Sequence, residues 1–294
     1  SSYDLLAFLT ILSLIVVAII RFIPAFNSII SSIFYIRMFE PSVEIIFNEF
    51  KKINNFKKRQ VYKIQASHEK ILEPEKSFIT LKDISFSYDN EANTTLKNIN
   101  IDIEKGTIVG VTGETGAGKS TLFHIILGLL EPKSGVVLFK NQNINLDIIN
   151  WRNQIGYIAQ NIYLLDDTIE KNISFNFLEK EIDKERMNFA IEMSCLQKKI
   201  FELPEGLRTK VGNDGLRLSG GEKQRIALAR AIYKNPDIFF MDESTSALDS
   251  KTEKKIMLNL KKNFSKKTII LIAHRKSTID ACDKIINIKN GVIS

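Results

Sequence analysis

The sequence predicts an α/β fold: a mostly parallel sheet covered by helices, with an antiparallel β subdomain and a helical subdomain, preceded by one long transmembrane helix. Three observations predict it. Residues 1–50 are strongly apolar, a period-two alternation begins at Phe78, and helical and apolar strand segments alternate from there to the C-terminus. The 294 residues leave room for one large domain or two smaller ones.

The N-terminal segment has the composition of a membrane helix. Residues 5–20 (LLAFLTILSLIVVAII) carry no charge, and a second apolar run follows Arg21. A helix of about 16 residues spans about 24 Å, which is slightly less than the roughly 30 Å hydrocarbon layer. We therefore expect the helix to continue past Arg21, with a kink at Pro24. A buried core helix is the alternative interpretation.

A secretory signal peptide does not fit the N-terminus. Such a peptide needs an initiator Met, a basic leader and a small-residue cleavage site, whereas this chain begins SSYD. We expect the chain to be the C-terminal part of a longer membrane protein, with the other transmembrane helices preceding it.

The charge distribution places the soluble part on the cytoplasmic side of a membrane. The formal net charge is +7, and basic residues cluster in KKINNFKKRQVYK, residues 51–63. Basic residues beside a membrane helix mark its cytoplasmic end and meet anionic lipid. Nucleic acid is not predicted as a partner, because no nucleic-acid-binding motif accompanies the charge. Cys195 and Cys282 fit no metal or redox spacing.

A phosphate-binding loop follows the apolar segment 107–112. GETGAGKS matches the pattern G-x-x-x-x-G-K-[ST], with a strand predicted at 107–112 and a helix at 121–130. Backbone N–H groups of such a loop surround phosphates, while Lys119 adds a positive charge and the Ser120 hydroxyl ligates Mg²⁺. A Gly-rich turn that only caps a helix is the alternative. The predicted phosphate-binding residues are Gly113, Glu114, Thr115, Gly116, Ala117, Gly118, Lys119, Ser120 and Thr121.

An acidic pair follows a second apolar strand. In DIFFMDES, residues 238–241 are fully apolar, and Asp242 and Glu243 stand at their C-terminal end. Ligands of parallel sheets bind at this end of the strands. Asp242 is therefore expected to hold Mg²⁺ through water, and Glu243 to orient and polarise an attacking water. Alone, such a pair would be a solvated loop.

A second anion site is predicted at another helix start. LRLSGGEKQRIALARA places Ser219, Gly220 and Gly221 before a helix expected at 222–234. The first N–H groups of a helix are unpaired and lie at the positive end of its dipole. The chain thus carries two candidate phosphate sites.

The order of these motifs resembles the nucleotide-binding domain of ATP-binding cassette (ABC) transporters, a P-loop NTPase, over residues 78–294. The resemblance implies ATP and Mg²⁺ as cofactors. It also implies that Tyr88 stacks on adenine and that Gln160 touches Mg²⁺ and senses the transmembrane domain. Alone, Tyr88 could be a strand residue on a half-buried face and Gln160 a surface amide.

The same resemblance implies a composite site between two cassettes. Residues 218–222 (LSGGE) are similar to the signature motif, and residues 246–249 (SALD) resemble the loop that links two composite sites. His274 resembles the switch histidine that contacts the γ-phosphate, although alone it could be a helix cap or a core histidine. In this family the signature of one cassette meets the ATP of another, which implies a head-to-tail dimer and most simply a homodimer. The catalytic residues implied are Glu243, His274, Lys119 and Gln160.

Two positions depart from the family pattern. Asn213 and Asp214 stand where many exporters carry Glu and Arg, which puts the usual contact with intracellular loops in doubt. Glu222 replaces Gln in the signature, while Ser219, Gly220 and Gly221 are intact.

An apolar helix fused ahead of the cassette is typical of ABC exporters. We assign residues 1–50 to the last transmembrane helix and its cytoplasmic extension, 51–76 to a basic linker and 77–294 to the cassette, with the helical subdomain at about 162–220. We therefore expect an ATPase of the inner (plasma) membrane, with its cassette in the cytoplasm.

Local sequence segments such as RFIPAFNSIISS resemble bacterial flippases of lipid-linked oligosaccharides. A non-transport ABC ATPase of DNA repair or the ribosome, or an inactive scaffold, is the alternative.

Overall fold

The computed structural model describes residues 2–66, 77–88, 94–175, 182–212, 215, 218–242, 247–273 and 275–294. The chain divides into two compact units, 1–69 and 70–294. Asn213 and Asp214 lie outside the described residues.

The described part of the first unit is one helix, α1, which spans Ser2–Ala66 and contains Pro24 and Pro41. It continues well past residue 50 and so includes much of the segment predicted as a linker. Within the described part of the chain, α1 is the helix long and apolar enough to cross a membrane, over Phe8–Lys51. Every described side chain of this stretch is exposed.

The second unit contains ten strands and eight α-helices among the described residues. In chain order they are β1 (Ile79–Phe86), β2 (Leu96–Ile103), β3 (Ile108–Gly113), α2 (Lys119–Ile126), β4 (Ser134–Phe139), β5 (Gln142–Asn143), α3 (Ile148–Asn153), β6 (Ile155–Ile158), α4 (Ile169–Ser174), α5 (Lys184–Met193), α6 (Gln197–Glu202), α7 (Gly220–Lys234), β7 (Ile238–Met241), α8 (Ser250–Asn263), β8 (Thr268–Ile272), α9 (Lys276–Ile279), β9 (Lys284–Lys289) and β10 (Val292–Ile293).

The described strands form two sheets. The first has the order β2-β1-β4-β5 and is antiparallel, with Ile79 opposite both Ile103 and Phe139. The second has the order β10-β9-β3-β8-β7-β6, and all its pairs are parallel except β10 with β9. The predicted α/β fold, with a mostly parallel core and an antiparallel β subdomain, is confirmed.

The parallel sheet is buried on both faces at β7, which is apolar and buried at every position. In β7, Ile238 and Phe240 pack in one core cluster with α2 and the antiparallel sheet, while Phe239 and Met241 pack in another with helices α4, α5, α7 and α8. Successive side chains of a strand point to opposite faces, so one apolar run supplies both clusters. The carboxyl ends of these strands therefore form one rigid edge.

Candidate functional site

The phosphate-binding loop joins β3 to α2 at this edge of the sheet. The turn depends on glycines in the left-handed region, with φ of 144° at Gly113, 82° at Gly116 and 103° at Gly118. A Cβ at Gly113 would meet the carbonyl oxygen of Ile288, and one at Gly118 would lie 2.8 Å from Leu96 Cδ2. At Gly113 the obstacle is the backbone of β9, and at both positions the positive φ disfavours any residue with a Cβ.

Lys119 closes the loop from inside. It is the first residue of α2 and only 7% exposed. Its ammonium donates hydrogen bonds to the carbonyl oxygens of Gly113, at 2.9 Å, and Glu114, at 2.8 Å. A buried cation is therefore tethered to the loop by two carbonyl bonds, where it can stabilise bound phosphate. The helix begins here rather than at residue 121, because Gly118 caps it.

A cavity of about 540 Å³ opens beside the loop. Its described lining comes from the loop, from the chain before β2 and from the β9–β10 turn: Thr94, Thr95, Lys97, Glu114, Thr115, Gly116, Ala117, Lys289, Asn290 and Gly291. Two lysines and one carboxylate line it, which favours an anionic occupant. Signature residues are not among this described lining.

Tyr88 stands next to the phosphate loop. Its hydroxyl lies 3.1 Å from Thr121 Oγ1, and its ring packs edge-on against Phe86 at 5.0 Å. It remains 45% exposed. Because the ring is held at one edge and one end and is still open to solvent, it is available to stack on a base.

Asp242 follows β7 directly, as predicted. It is 5% exposed, and its backbone N–H donates to the carbonyl oxygen of Ile158 at 2.9 Å. Burial, and to a lesser degree the charge of Asp242, raises the pKa of Tyr157 to about 12. Gln160 follows β6 and is exposed. Glu243 lies outside the described residues.

The predicted Mg²⁺ ligands have the right chemistry. Ser120, Gln160 and Asp242 offer hydroxyl, amide and carboxylate oxygens, the donors that this ion prefers. Mg²⁺ in nucleotide sites is usually held by one or two carboxylates together with substrate phosphates and water. The buried carboxylate of Asp242, at the carboxyl end of β7 in the same sheet as β3, fits that pattern. Thr121 is buried behind Ser120, which is exposed.

The signature residues form the start of α7. The Ser219 hydroxyl accepts a hydrogen bond from the Glu222 backbone at 3.3 Å, while the Ser219 backbone donates to Glu222 Oε2 at 2.8 Å. This reciprocal capping box starts the helix at Gly220, two residues before the predicted start. Ser219 and Gly220 are exposed. The predicted anion-binding helix start is thus open to solvent.

Lys199 of α6 also binds Glu222, and sequence reasoning missed it. Its ammonium lies 2.9 Å from Glu222 Oε1. Partial burial acts to raise the pKa of Glu222, but the hydrogen bonds from Lys199 and Ser219 outweigh it and hold that pKa below its ordinary value. The spacing S-x-x-E predicts the capping box, but no sequence signal predicts the lysine.

A buried carboxylate links the segments that flank two further motifs. Glu253 of α8 is fully buried and meets the Arg275 guanidinium at 2.9 Å and the Thr278 hydroxyl at 2.5 Å. Arg275 also donates to the carbonyl oxygen of Leu248 at 2.9 Å. His274 and Ser246 lie outside the described residues, but Arg275, the residue after His274, is bonded to Leu248 of the SALD motif.

A second cavity, of about 510 Å³, lies between the sheet edge and the helical subdomain. Its described lining is mostly apolar, but includes four cations: Leu127, Leu129, Arg152, Ile155, Gly156, Tyr157, Ile173, Ser174, Phe175, Arg186, Arg230, Ala231, Tyr233 and Lys234. Arg230 lies over the Phe175 ring at 4.7 Å and donates to the carbonyl oxygen of Asn172 at 2.8 Å. We call this second cavity the basic groove.

Comparison with known proteins gives consistent results. Residues 96–246 match the family described as "ABC transporter". The chain is 42% identical over 216 residues to the leukotoxin translocation ATP-binding protein LktB of Mannheimia glucosida, and 41% identical over 219 residues to LktB of Mannheimia haemolytica. These matches cover 73% and 74% of this chain but only 30% and 31% of the relatives.

A solved structure shares the fold. It is the structure of a bacterial Atm1-family ABC exporter with ATP bound, and it is similar with a TM-score of 0.70 and 31% identity. The similarity covers 80% of this chain and 43% of that one. The family match takes in more than half of the chain, from β2 across the phosphate loop, the signature and Asp242; the chain therefore belongs to the ABC transporter family and carries that family's ATP-hydrolysing cassette.

Proposed function

We propose that the chain is the C-terminal half-transporter segment of an ABC exporter in the inner membrane, whose cytoplasmic cassette hydrolyses ATP as a head-to-tail dimer and drives transport. The residues 1–50, 51–76 and 77–294 would then be membrane helix, linker and cassette. The apolar side chains of α1 are exposed along residues 8–51, whereas those of the cassette are largely buried in its core.

The proposed dimer rests on one observation: the signature residues Ser219 and Gly220 are exposed to solvent. The Ser219 hydroxyl and the first N–H groups of α7 form an anion-binding helix start that is open to solvent. The described lining of the cavity beside the phosphate loop comes from other segments. One chain thus offers two halves of a phosphate site, and a second copy in a head-to-tail arrangement would join them twice.

Each of the proposed site residues would have a separate role in ATP hydrolysis. Lys119, whose buried ammonium is held by the carbonyl oxygens of Gly113 and Glu114, would neutralise charge on the transferring phosphate, and Ser120, Gln160 and Asp242 would hold Mg²⁺. Mg²⁺, when bound, supplies further charge neutralisation. Glu243 would orient the attacking water and His274 the γ-phosphate. Positioning and charge, without a covalent intermediate, account for such phosphoryl transfer.

Helix α1 supports the membrane location. Large apolar side chains such as Phe22, which is 74% exposed, face outward along Phe8–Lys51. Contiguous exposed apolar surface on this scale is stable against lipid tails or other apolar helices. We therefore place α1 in the bilayer, in contact with lipid and with the other helices of a transmembrane domain.

The basic groove is the proposed docking site for that transmembrane domain. Tyr157 lines it, and the next residue in β6, Ile158, accepts the backbone hydrogen bond of Asp242. A movement of Tyr157 in the groove wall could therefore reach the proposed Mg²⁺ ligand Asp242 through one covalent neighbour, Ile158, and one hydrogen bond. The cationic lining favours a cytoplasmic segment that carries acidic or aromatic side chains.

For the cargo we propose an anionic amphiphile such as a lipid-linked oligosaccharide. The phrase RFIPAFNSIISS supports it, because it resembles the flippases of such lipids. Arg21 also supports it, since it stands between two apolar runs of α1, and an intramembrane cation usually faces a polar pathway. The LktB relatives are named for leukotoxin translocation, so a toxin cargo is the alternative that a transport assay must test.

Hydrolysis by the full chain in detergent, with and without Glu243→Gln, tests the ATPase part. We expect the variant to bind ATP and to accumulate as a closed dimer, while turnover falls by orders of magnitude. Unchanged turnover would remove Glu243 from its role. Full extraction and activity without detergent would favour a non-transport ABC ATPase.

A further inference from the structure

The carboxylate of Glu222 is held at both oxygens. Oε2 accepts from the Ser219 backbone at 2.8 Å, and Oε1 meets the Lys199 ammonium at 2.9 Å. The side chain of Glu222 is 15% exposed and that of Lys199 is 27% exposed, so both charged groups are mostly withdrawn from water. The contact joins α6 to the first turn of α7, two segments that are separate in sequence.

Glu222 creates an electrostatic problem for the proposed function, on which this inference rests. An acidic residue in the first turn of a helix stabilises that helix through its dipole. The Glu222 carboxylate lies 2.8 Å from the Ser219 backbone nitrogen. A phosphate of a second cassette bound at Ser219 would therefore lie close to a charge of its own sign, and like charges repel in a partly buried site. An uncompensated carboxylate would weaken phosphate binding there.

Lys199 is built to remove this repulsion. Lys199 lies in α6. The following residue, Ile200, packs on the core cluster of the helical subdomain, and its backbone N–H donates a hydrogen bond to the carbonyl oxygen of Leu196. Its neighbour Lys198 differs, because it is 91% exposed and lies 3.9 Å from Glu202. The α6 backbone therefore directs one of two consecutive lysines toward the signature and the other toward solvent.

We propose that Lys199 is a positioning residue for the composite ATP site: by neutralising Glu222 and holding it against the Ser219 backbone, it keeps the start of α7 able to receive the phosphate of a second cassette. Lys199 itself touches no nucleotide in this account. It acts through Glu222, which gives the pair a property that a simple structural bridge lacks. Removing the charge of Glu222 should remove the need for Lys199.

The test compares four full-length variants in detergent: Lys199→Gln, Glu222→Gln, the double variant and the control Lys198→Gln. Gln at 222 can still accept the Ser219 backbone bond, because the capping box accommodates Glu or Gln. We measure the KM and kcat of ATP hydrolysis, ATP-dependent cross-linking of the dimer, binding of a fluorescent ATP analogue, and thermal unfolding.

Lys199→Gln should raise the KM about fivefold to tenfold and reduce dimer cross-linking, with analogue binding unchanged. Glu222→Gln should lower the KM, since it removes the negative charge beside Ser219 while the charge of Lys199 remains. The double variant should return the KM to within about twofold of the parent chain, and Lys198→Gln should match the parent.

Two results would overturn the inference: a parent-like KM in Lys199→Gln, or a double variant no better than Lys199→Gln. The second would show a structural bridge only. Failure of the proposed function looks different, because the parent chain itself would then neither hydrolyse ATP nor form an ATP-dependent dimer.

Discussion

Glu253 and Arg275 form an ion pair at 2.9 Å in which the carboxylate is completely buried. The pair joins α8 to the start of α9, and Arg275 extends the link to the carbonyl oxygen of Leu248. The backbone beside position 274 is therefore fixed to the backbone of the SALD loop. A loop proposed to contact phosphate in one cassette is tied to a loop proposed to reach the other.

The first prediction concerns the stability of this link. Glu253→Gln should lower the free energy of unfolding by about 1–3 kcal/mol, because the buried site keeps its hydrogen bonds but loses the charge that satisfies Arg275. Urea unfolding of the full chain in detergent measures the change. Lys261→Ala is the matched control: its ammonium lies 3.7 Å from Asp283 in an exposed pair, and such pairs contribute little. Equal effects would contradict the account.

The second prediction concerns Tyr88. Tyr88→Ala should weaken binding of a fluorescent ATP analogue by about tenfold, because stacking of a base on an aromatic ring is worth about 1–3 kcal/mol. Tyr88→Phe should retain most of the affinity, since it keeps the ring and loses only the contact with Thr121. If both variants bind equally well, the ring does not stack on adenine.

The third prediction concerns the reactivity of Cys282. Burial, with a smaller contribution from the charge of Asp283, raises the pKa of its thiol from 9.0 to about 11. The reactive thiolate is therefore about a hundredfold scarcer near pH 8 than for an ordinary thiol. Alkylation by iodoacetamide, followed by mass spectrometry, should be slow in the folded chain, accelerate as pH rises toward 11, and become fast after denaturation. Rapid alkylation of the folded chain at pH 8 would show an accessible, unshifted thiol.

The sequence predicted the parts of the fold and site that depend on local pattern. The apolar run 238–241 coincides with β7, and the P-loop spacing predicted the strand, turn and helix around Lys119. Both helix starts at anion sites were placed about two residues late. The cap of α2, Gly118, depends on backbone geometry alone, whereas the S-x-x-E spacing of Ser219 and Glu222 does indicate the earlier start of α7.

The contacts that join distant segments could not be predicted. Lys199 lies 23 positions before Glu222, and Arg275 lies 22 positions after Glu253; no spacing rule links either pair. Their meeting depends on how α6 and α9 pack against neighbouring helices. The roles of Glu243 and His274 also stay predictions, since both lie outside the described residues.

The central claim is that Ser219 of one chain completes the phosphate site around Lys119 of another. Lys119→Ala and Ser219→Arg should each abolish hydrolysis, the first by removing the buried ammonium and the second by blocking the start of α7. Ser219→Arg alone should still bind ATP, because its own phosphate loop is intact. A mixed dimer of the two variants nevertheless contains one composite site with both halves intact.

Co-expression of the two variants with different affinity tags, and purification on both tags in turn, isolates that mixed dimer. Hydrolysis of ATP by the mixed dimer, measured beside each variant alone, is the most direct test. The account predicts that two inactive chains regain activity, up to about half of the parent dimer, because one of two symmetry-related sites is restored. A mixed dimer as inactive as either variant, or no mixed dimer at all, would contradict the claim that the site is shared between chains.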